Sequence, residues 1–144
     1  MITAIVAVLG TLAGSAIAHL SQRSHRKADD ARARRTEALT AVAELATALA
    51  NHRRAMWVRE DLRLRGEDWA DARAESHTTR SAITAPLLRV QVLLPSIADA
   101  AQTAARAAYS LRASESESGL RARREHAITT TDSLVNAAAA AIAT

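Results

Sequence analysis

The stretch ALTAVAELATALANHRRAM, residues 38–56, repeats apolar side chains in steps of three and four. Its inward positions are led by Ala38, Val42, Leu45, Leu49 and Met56. This spacing places the side chains on one face of an α-helix, so the stretch predicts an amphipathic helix packed against other elements. We place the helix at about residues 29–64, ended by Gly66.

The composition favours helices throughout the chain. Alanine, which has the best helix propensity, is the most abundant residue, with many leucines, arginines and glutamates. β-Branched residues never alternate over the length of a strand. The sequence has no cysteine, which excludes disulfides and thiolate chemistry. We therefore predict an all-α fold.

Three further helices are predicted beyond Gly66. The second runs from about residue 67 to 94, broken near 82–85 by Pro86. Its apolar end, residues 86–95, is expected at the domain centre. The third covers about 97–112 with Ser96 as N-cap. The last covers about 120–142, or starts earlier at Ser114 with Glu117 in a capping box. Short connections favour an antiparallel bundle of about four helices.

Charge is distributed very unevenly near the N-terminus. Residues 1–20 contain no Asp, Glu, Lys or Arg. Residues 21–36 carry two acidic and six basic side chains, so this segment holds the whole net charge of +4. The basic cluster consists of Arg23, Arg26, Lys27, Arg32, Arg34 and Arg35.

This pattern predicts a membrane anchor. A helix of about 19 apolar residues rises about 28 Å, close to the hydrocarbon thickness of a bilayer. Basic residues that follow a membrane helix stay on the cytoplasmic side and attract anionic lipid. We therefore expect a single-pass protein of the cell membrane with its N-terminus outside. Residues 1–20 are the transmembrane anchor, 21–36 a basic juxtamembrane segment and 37–144 a cytoplasmic helical domain.

Three other interpretations of the N-terminus stay open. Ala16-Ile17-Ala18 is a signal-peptidase-like site, but no basic region precedes the apolar run. The first helix could instead be buried in a soluble bundle, although the alanine-rich remainder offers little apolar surface. The basic cluster could contact nucleic acid, which we regard as less favoured than membrane lipid.

The predicted anchor contains Gly10-x-x-x-Gly14. Small residues at this spacing let two membrane helices approach closely, so Gly10 and Gly14 are candidates for self-association and a homo-oligomer.

The sequence carries no signature of catalysis. The histidines form no H-x-x-x-H or H-E-x-x-H pair, and no nucleophile motif is present. Four glycines leave no room for a phosphate-binding loop. We therefore predict a protein without enzymatic activity, metal or cofactor.

The most unusual stretch is HRRAMWVREDLRLR, residues 52–65. One interpretation is an amphipathic helix end, with Trp57 partly covered and Glu60 in surface ion pairs. The other is a surface for a cytoplasmic protein partner, because Trp and Arg dominate binding hot spots. Its candidate residues are Arg53, Arg54, Trp57 and Arg59.

Four segments together resemble a known family. They are IVAVLGTLAG (5–14), NHRRAMWVREDLRLRG (51–66), TAPLLRVQVLLP (84–95) and AARAAYSLR (104–112). These segments are similar to the small KilB-like membrane proteins of actinobacterial conjugative plasmids and integrated elements. The resemblance implies a role in plasmid transfer or spread through the mycelium, and toxicity when unregulated. It implies no catalytic residues.

Our first hypothesis is a membrane-anchored helical adaptor that recruits a cytoplasmic component of DNA transfer. The second is a membrane-perturbing or structural oligomer assembled through the anchor. The third is a DNA-binding accessory protein, whose affinity would fall steeply with salt.

Overall fold

A computed structural model describes the backbone of residues 2–143 and the side chains of residues 26–143. Its elements are α1 (Ile2–Arg65), α2 (Ala70–Ala82), α3 (Thr84–Leu93), a 3₁₀ turn (Pro95–Ile97), α4 (Ala98–Tyr109) and α5 (Glu117–Ala143). The described residues contain no strand. The prediction of an all-α fold with about four helices beyond the N-terminal segment is confirmed, with the second helix divided into α2 and α3.

The chain divides into two compact units, Met1–Glu37 and Ala38–Thr144. In the first, the side chains of the predicted anchor, with Gly10 and Gly14, lie outside the described residues. Among those described, no single helix has both the length and the apolar character to cross a bilayer. Two stretches, Ala70–Leu93 and Pro95–Tyr109, are long and apolar enough only when taken together, and the chain bends by 120° between them.

The second unit has a core dominated by small side chains. The inward face of α1 supplies Leu45 and Leu49, which are completely buried, and α5 supplies Leu134. The face that α4 turns toward the core is almost entirely alanine; its fully or nearly fully buried residues are Ala101, Ala104, Ala105, Ala107 and Ala108. Because alanine buries little surface, burial of the few large residues supplies much of the hydrophobic stabilisation.

The predicted break in the second helix is confirmed, since α2 ends at Ala82 and α3 begins at Thr84. Pro86 has no N–H, and its ring would clash with the carbonyl of Ala82 four residues earlier. The expected central position of residues 86–95 is wrong in part. Val90 is completely buried, but Leu88 and Val92 are 61% and 68% exposed because they lie on the outer face of α3.

The predicted caps are wrong in detail. The side chain of Ser96 caps nothing, because Pro95–Ile97 forms a 3₁₀ turn and α4 begins only at Ala98. The last helix does start upstream of Leu120, at Glu117. Its cap is Ser116, whose hydroxyl accepts a 3.1 Å hydrogen bond from the backbone N–H of Gly119. The hydroxyl of Ser114 instead donates to the carbonyl of Leu111.

Gly66 ends α1 as predicted. Its φ of +72° lies in the left-handed region that favours glycine. The N–H of the next residue, Glu67, donates to the carbonyl of Leu62 at 3.0 Å, and that of Gly66 to Arg63 at 3.2 Å. These two bonds satisfy carbonyls that the end of a helix leaves free.

Candidate functional site

A carboxylate is buried near the end of α1. Glu60 is completely buried, and its Oε2 atom accepts a 2.8 Å hydrogen bond from Nε of Arg63. Its Oε1 atom lies 3.5 Å from Nε of Arg59, which is itself buried. A buried charge is tolerated when it is paired, so Glu60 acts as the counter-ion of two guanidinium groups. Glu60 was expected in surface ion pairs, and the structure corrects that expectation.

Arg59 links α1 to α2. Its Nη1 atom donates a 3.1 Å hydrogen bond to the hydroxyl of Ser76, which in turn donates to the carbonyl of Arg73 at 2.7 Å. Its guanidinium lies 5.3 Å from the centre of the Trp69 ring. Burial lowers the pKa of Arg59, while the charge of Glu60 opposes that shift. The side chain is thus a fixed cation between two helices.

Two other arginines hold the connection between α4 and α5. The Nη2 atom of Arg63 donates to the carbonyl of Ser114. Nη1 of Arg123 donates to the carbonyls of Ser110, at 2.8 Å, and Arg112, at 3.0 Å. Arginine donors therefore satisfy backbone acceptors beyond the end of α4, where no helical partner is available.

His52 is buried on the inward face of α1. Its Nδ1 atom lies 3.0 Å from the hydroxyl oxygen of Thr79 in α2, and its ring meets Tyr109 edge to face at 5.5 Å. Its Nε2 atom has no hydrogen-bond partner among the described residues. Burial lowers the pKa of His52 to about 4, and the charges of Arg80 and Arg59 add to the effect. The imidazole is therefore neutral at physiological pH.

A cavity of about 250 Å³ opens beside His52, between α1, α2 and the end of α4. The guanidinium of Arg80 lies over the Tyr109 ring at 4.1 Å from its centre. The residues that define the cavity chemically are His52, Arg59, Ser76, Arg80, Tyr109 and Arg112. This arrangement joins fixed cations and hydroxyl groups in one concave site.

The four residues predicted as a partner surface do not share one face of α1. Trp57 is half-buried, with the guanidinium of Arg124 from α5 at 5.1 Å from its ring. Burial lowers the pKa of the half-buried Arg53; the charge of Arg124 lowers it further and Asp132 opposes it. Arg53 and Trp57 therefore lie toward α5. We call Arg53, Trp57 and Arg124 the Trp57 patch.

The other two candidates lie elsewhere. Arg54 is exposed and, with Val58, lines a shallow depression toward α2. Arg59 belongs to the buried cluster with Ser76. On a helix, residues four apart share a face whereas adjacent residues diverge by about 100°, which explains the division.

The described part of the basic cluster is solvent-exposed. Nη1 of Arg32 lies 3.3 Å from Oδ1 of Asp29, and Nε of Arg34 donates to the carbonyl of Asp30. Lys27 and Arg35 are exposed as well. The side chain of Arg23 lies outside the described residues. Within residues 26–143, no three His, Cys, Asp or Glu side chains are grouped so that they could hold a metal ion.

The sequence interpretation missed the cavity and its buried polar groups. A signal was present, because His52 and Glu60 continue the inward spacing set by Leu45, Leu49 and Met56. A polar residue at an inward position predicts a buried partner. The partners themselves, Ser76 and Thr79, come from α2, and nothing in the local sequence identifies them.

Comparison with known proteins gives a consistent result. Residues 39–142 match the family of the KilB plasmid transfer protein. The chain is 56% identical to Protein KilB of Streptomyces lividans over 144 residues, which covers 96% of this chain and 97% of that protein. No solved structure matches the chain.

Proposed function

The chain belongs to the KilB plasmid transfer family, and from this premise we propose that it is a membrane-anchored, non-enzymatic adaptor of plasmid transfer. Its helical domain binds a cytoplasmic protein partner, and its N-terminal segment holds the domain at the cell membrane. The observation that carries the adaptor role is the Trp57 patch.

The Trp57 patch has the chemistry of a binding hot spot. An indole ring offers a large apolar area, and the guanidinium of Arg124 lies 5.1 Å from its centre. Trp57 is half-buried, so its position is fixed while part of its surface is free for a partner. Arg53 and Arg124 give the patch a positive charge, which favours an acidic segment on the partner.

The membrane role is supported by the charge distribution. Residues 1–20 contain no charged side chain, and every described residue from 26 to 37 is solvent-exposed. An exposed basic helix next to an apolar segment gains about 1 kcal/mol per basic residue from anionic lipid. The same charges favour a cytoplasmic position for the domain.

The full chain has no native cysteine, so a single added cysteine can report its membrane topology. One Cys is added after Thr144, and intact cells are treated with an impermeant maleimide before and after lysis. Labelling of alkaline-washed membranes only after lysis supports the proposal. Labelling of intact cells places the domain outside, and absence from washed membranes refutes the anchor.

The adaptor role is tested by plasmid transfer frequency in a strain that lacks the native gene. We expect Trp57→Ala combined with Arg124→Ala to abolish complementation while circular dichroism shows that the domain, although its thermal midpoint is lowered, stays folded at the growth temperature. The control is Arg54→Ala with Val58→Ala, which alters the other face of α1. Transfer that is equal in both double variants contradicts the assignment of the Trp57 patch.

A further inference from the structure

The cavity beside His52 carries three arginines, of which only Arg59 has a counter-ion, Glu60, among the described side chains. Arg59, Arg80 and Arg112 line it, and no carboxylate does. Glu60 is not among the lining residues. Its Oε1 atom lies 3.5 Å from Nε of Arg59, and its Oε2 atom accepts a hydrogen bond from Nε of Arg63. Among residues 26–143, Arg80 and Arg112 form no ion pair.

One residue that lines the cavity carries an unsatisfied polar atom. His52 is 1% exposed, and its Nε2 atom has no partner among the described residues. A buried polar atom left without a hydrogen bond destabilises the folded state. Thr79 holds the other ring nitrogen at 3.0 Å and so fixes the orientation of the imidazole.

Two of the three cationic groups are held in place before any ligand enters. Ser76 accepts a hydrogen bond from Nη1 of Arg59, and Tyr109 packs its ring beneath the guanidinium of Arg80. Ordering a long side chain is a large part of the cost of binding, so cations that are already placed raise the affinity for an anion. Guanidinium groups match the oxygens of phosphate in pairs.

We propose that the cavity between α1, α2 and α4 is a binding site for a phosphate group. Arg80 and Arg112, the two lining arginines without an ion-pair partner in the described part of the chain, suit a ligand that carries about two negative charges better than a single carboxylate. A volume of about 250 Å³ holds a phosphate group together with a small part of the molecule that bears it. This site is separate from the Trp57 patch, and the inference does not depend on the adaptor role.

The test uses the full-length, ¹⁵N-labelled protein in detergent, titrated with inorganic phosphate at constant pH and ionic strength. We expect a saturable shift of the His52 side-chain nitrogens. Arg80 and Arg112 are exposed, so Arg80→Gln and Arg112→Gln should retain the fold, which circular dichroism checks. Each should weaken binding about tenfold, or about 1.4 kcal/mol. Arg106→Gln, which removes an exposed arginine of α4 outside the cavity, is the matched control.

Three results overturn the inference: a response that never saturates, no shift at His52, or equal weakening in the Arg106→Gln variant. The first and the third indicate a non-specific charge effect, and the second indicates that phosphate does not occupy this cavity. A second arm replaces inorganic phosphate with O-phosphoserine. Tighter binding of phosphoserine identifies a phosphorylated protein as the source of the group, and equal or weaker binding identifies free phosphate.

Discussion

Nε of Arg63 donates a 2.8 Å hydrogen bond to the completely buried carboxylate of Glu60, one turn earlier in α1. Arg63 also donates to the carbonyl of Ser114, beyond the end of α4. One guanidinium therefore connects a buried anion to the α4–α5 connection. Removing the anion leaves Arg63 and the buried Arg59 without their counter-charge.

We expect Glu60→Gln to lower the free energy of unfolding by about 3 kcal/mol, because breaking a buried ion pair leaves an uncompensated charge. Urea unfolding followed by circular dichroism measures the change. The control is Asp61→Asn, which breaks an exposed ion pair with Arg65 and should cost less than about 1 kcal/mol. Equal losses in both variants would mean that the burial of Glu60 has no energetic weight.

Stability should fall in acid because of His52. The pKa of this histidine is about 4 in the folded chain and 6.5 when unperturbed. Between these values the unfolded chain binds a proton that the folded chain does not, so folding weakens as the pH falls. Between pH 7 and 5 the expected loss is about 2 kcal/mol.

The His52 contribution is isolated by variants. Urea midpoints at pH 7 and 5 should differ less in His52→Gln than in the unsubstituted chain. His126→Gln, which removes an exposed histidine of α5, should keep the full difference. If His52→Gln keeps it too, other groups cause the acid sensitivity.

The contact between Trp57 and Arg124 should be measurable without a partner. A double-mutant cycle with Trp57→Leu and Arg124→Ala is expected to give a coupling free energy of about 0.5–1 kcal/mol. In a Trp69→Phe background, which leaves Trp57 as the sole fluorophore of its kind, Arg124→Ala should increase quenching by acrylamide. Unchanged quenching would show that Arg124 does not cover the indole.

Substitutions at the two described residues with positive φ, Gly66 and Ala113, should change the stability of the domain in opposite directions. Gly66 has φ +72°, and a Cβ atom added there would meet no atom within 4 Å, so Gly66→Ala is expected to cost about 1 kcal/mol from backbone strain alone. Ala113 has φ +57°, so Ala113→Gly should stabilise the domain by up to about 1 kcal/mol. Thermal midpoints measure both. Changes of the same sign would contradict the backbone explanation.

Much of the fold follows from local rules that act along the sequence. The inward spacing of α1, the break before Pro86 and the end of α1 at Gly66 each depend on neighbouring residues, so all could be predicted. The caps were harder, because Ser114 and Ser116 are chemically alike and two positions apart. Which serine caps α5 depends on where the chain leaves α4, and that is a tertiary property.

The candidate sites could be predicted less well. Trp57 and Arg53 stood out because of their residue types, but Arg124 is 67 positions after Trp57 and no local pattern connects them. Arg59 lies adjacent to a buried glutamate, and only the packing of α2 shows that its guanidinium points inward to Ser76. Both sites depend on contacts between segments that are distant in the sequence, and a single sequence does not reveal which distant segments make contact.

The alanines of α4 have a consequence for motion. Alanine has no χ angle, so the buried residues 101, 104, 105, 107 and 108 have no rotamers to exchange. A core with larger side chains can absorb a displacement by rotamer rearrangement. In this domain a displacement of α4 requires entire helices to slide against one another, which is the shear mode of conformational change.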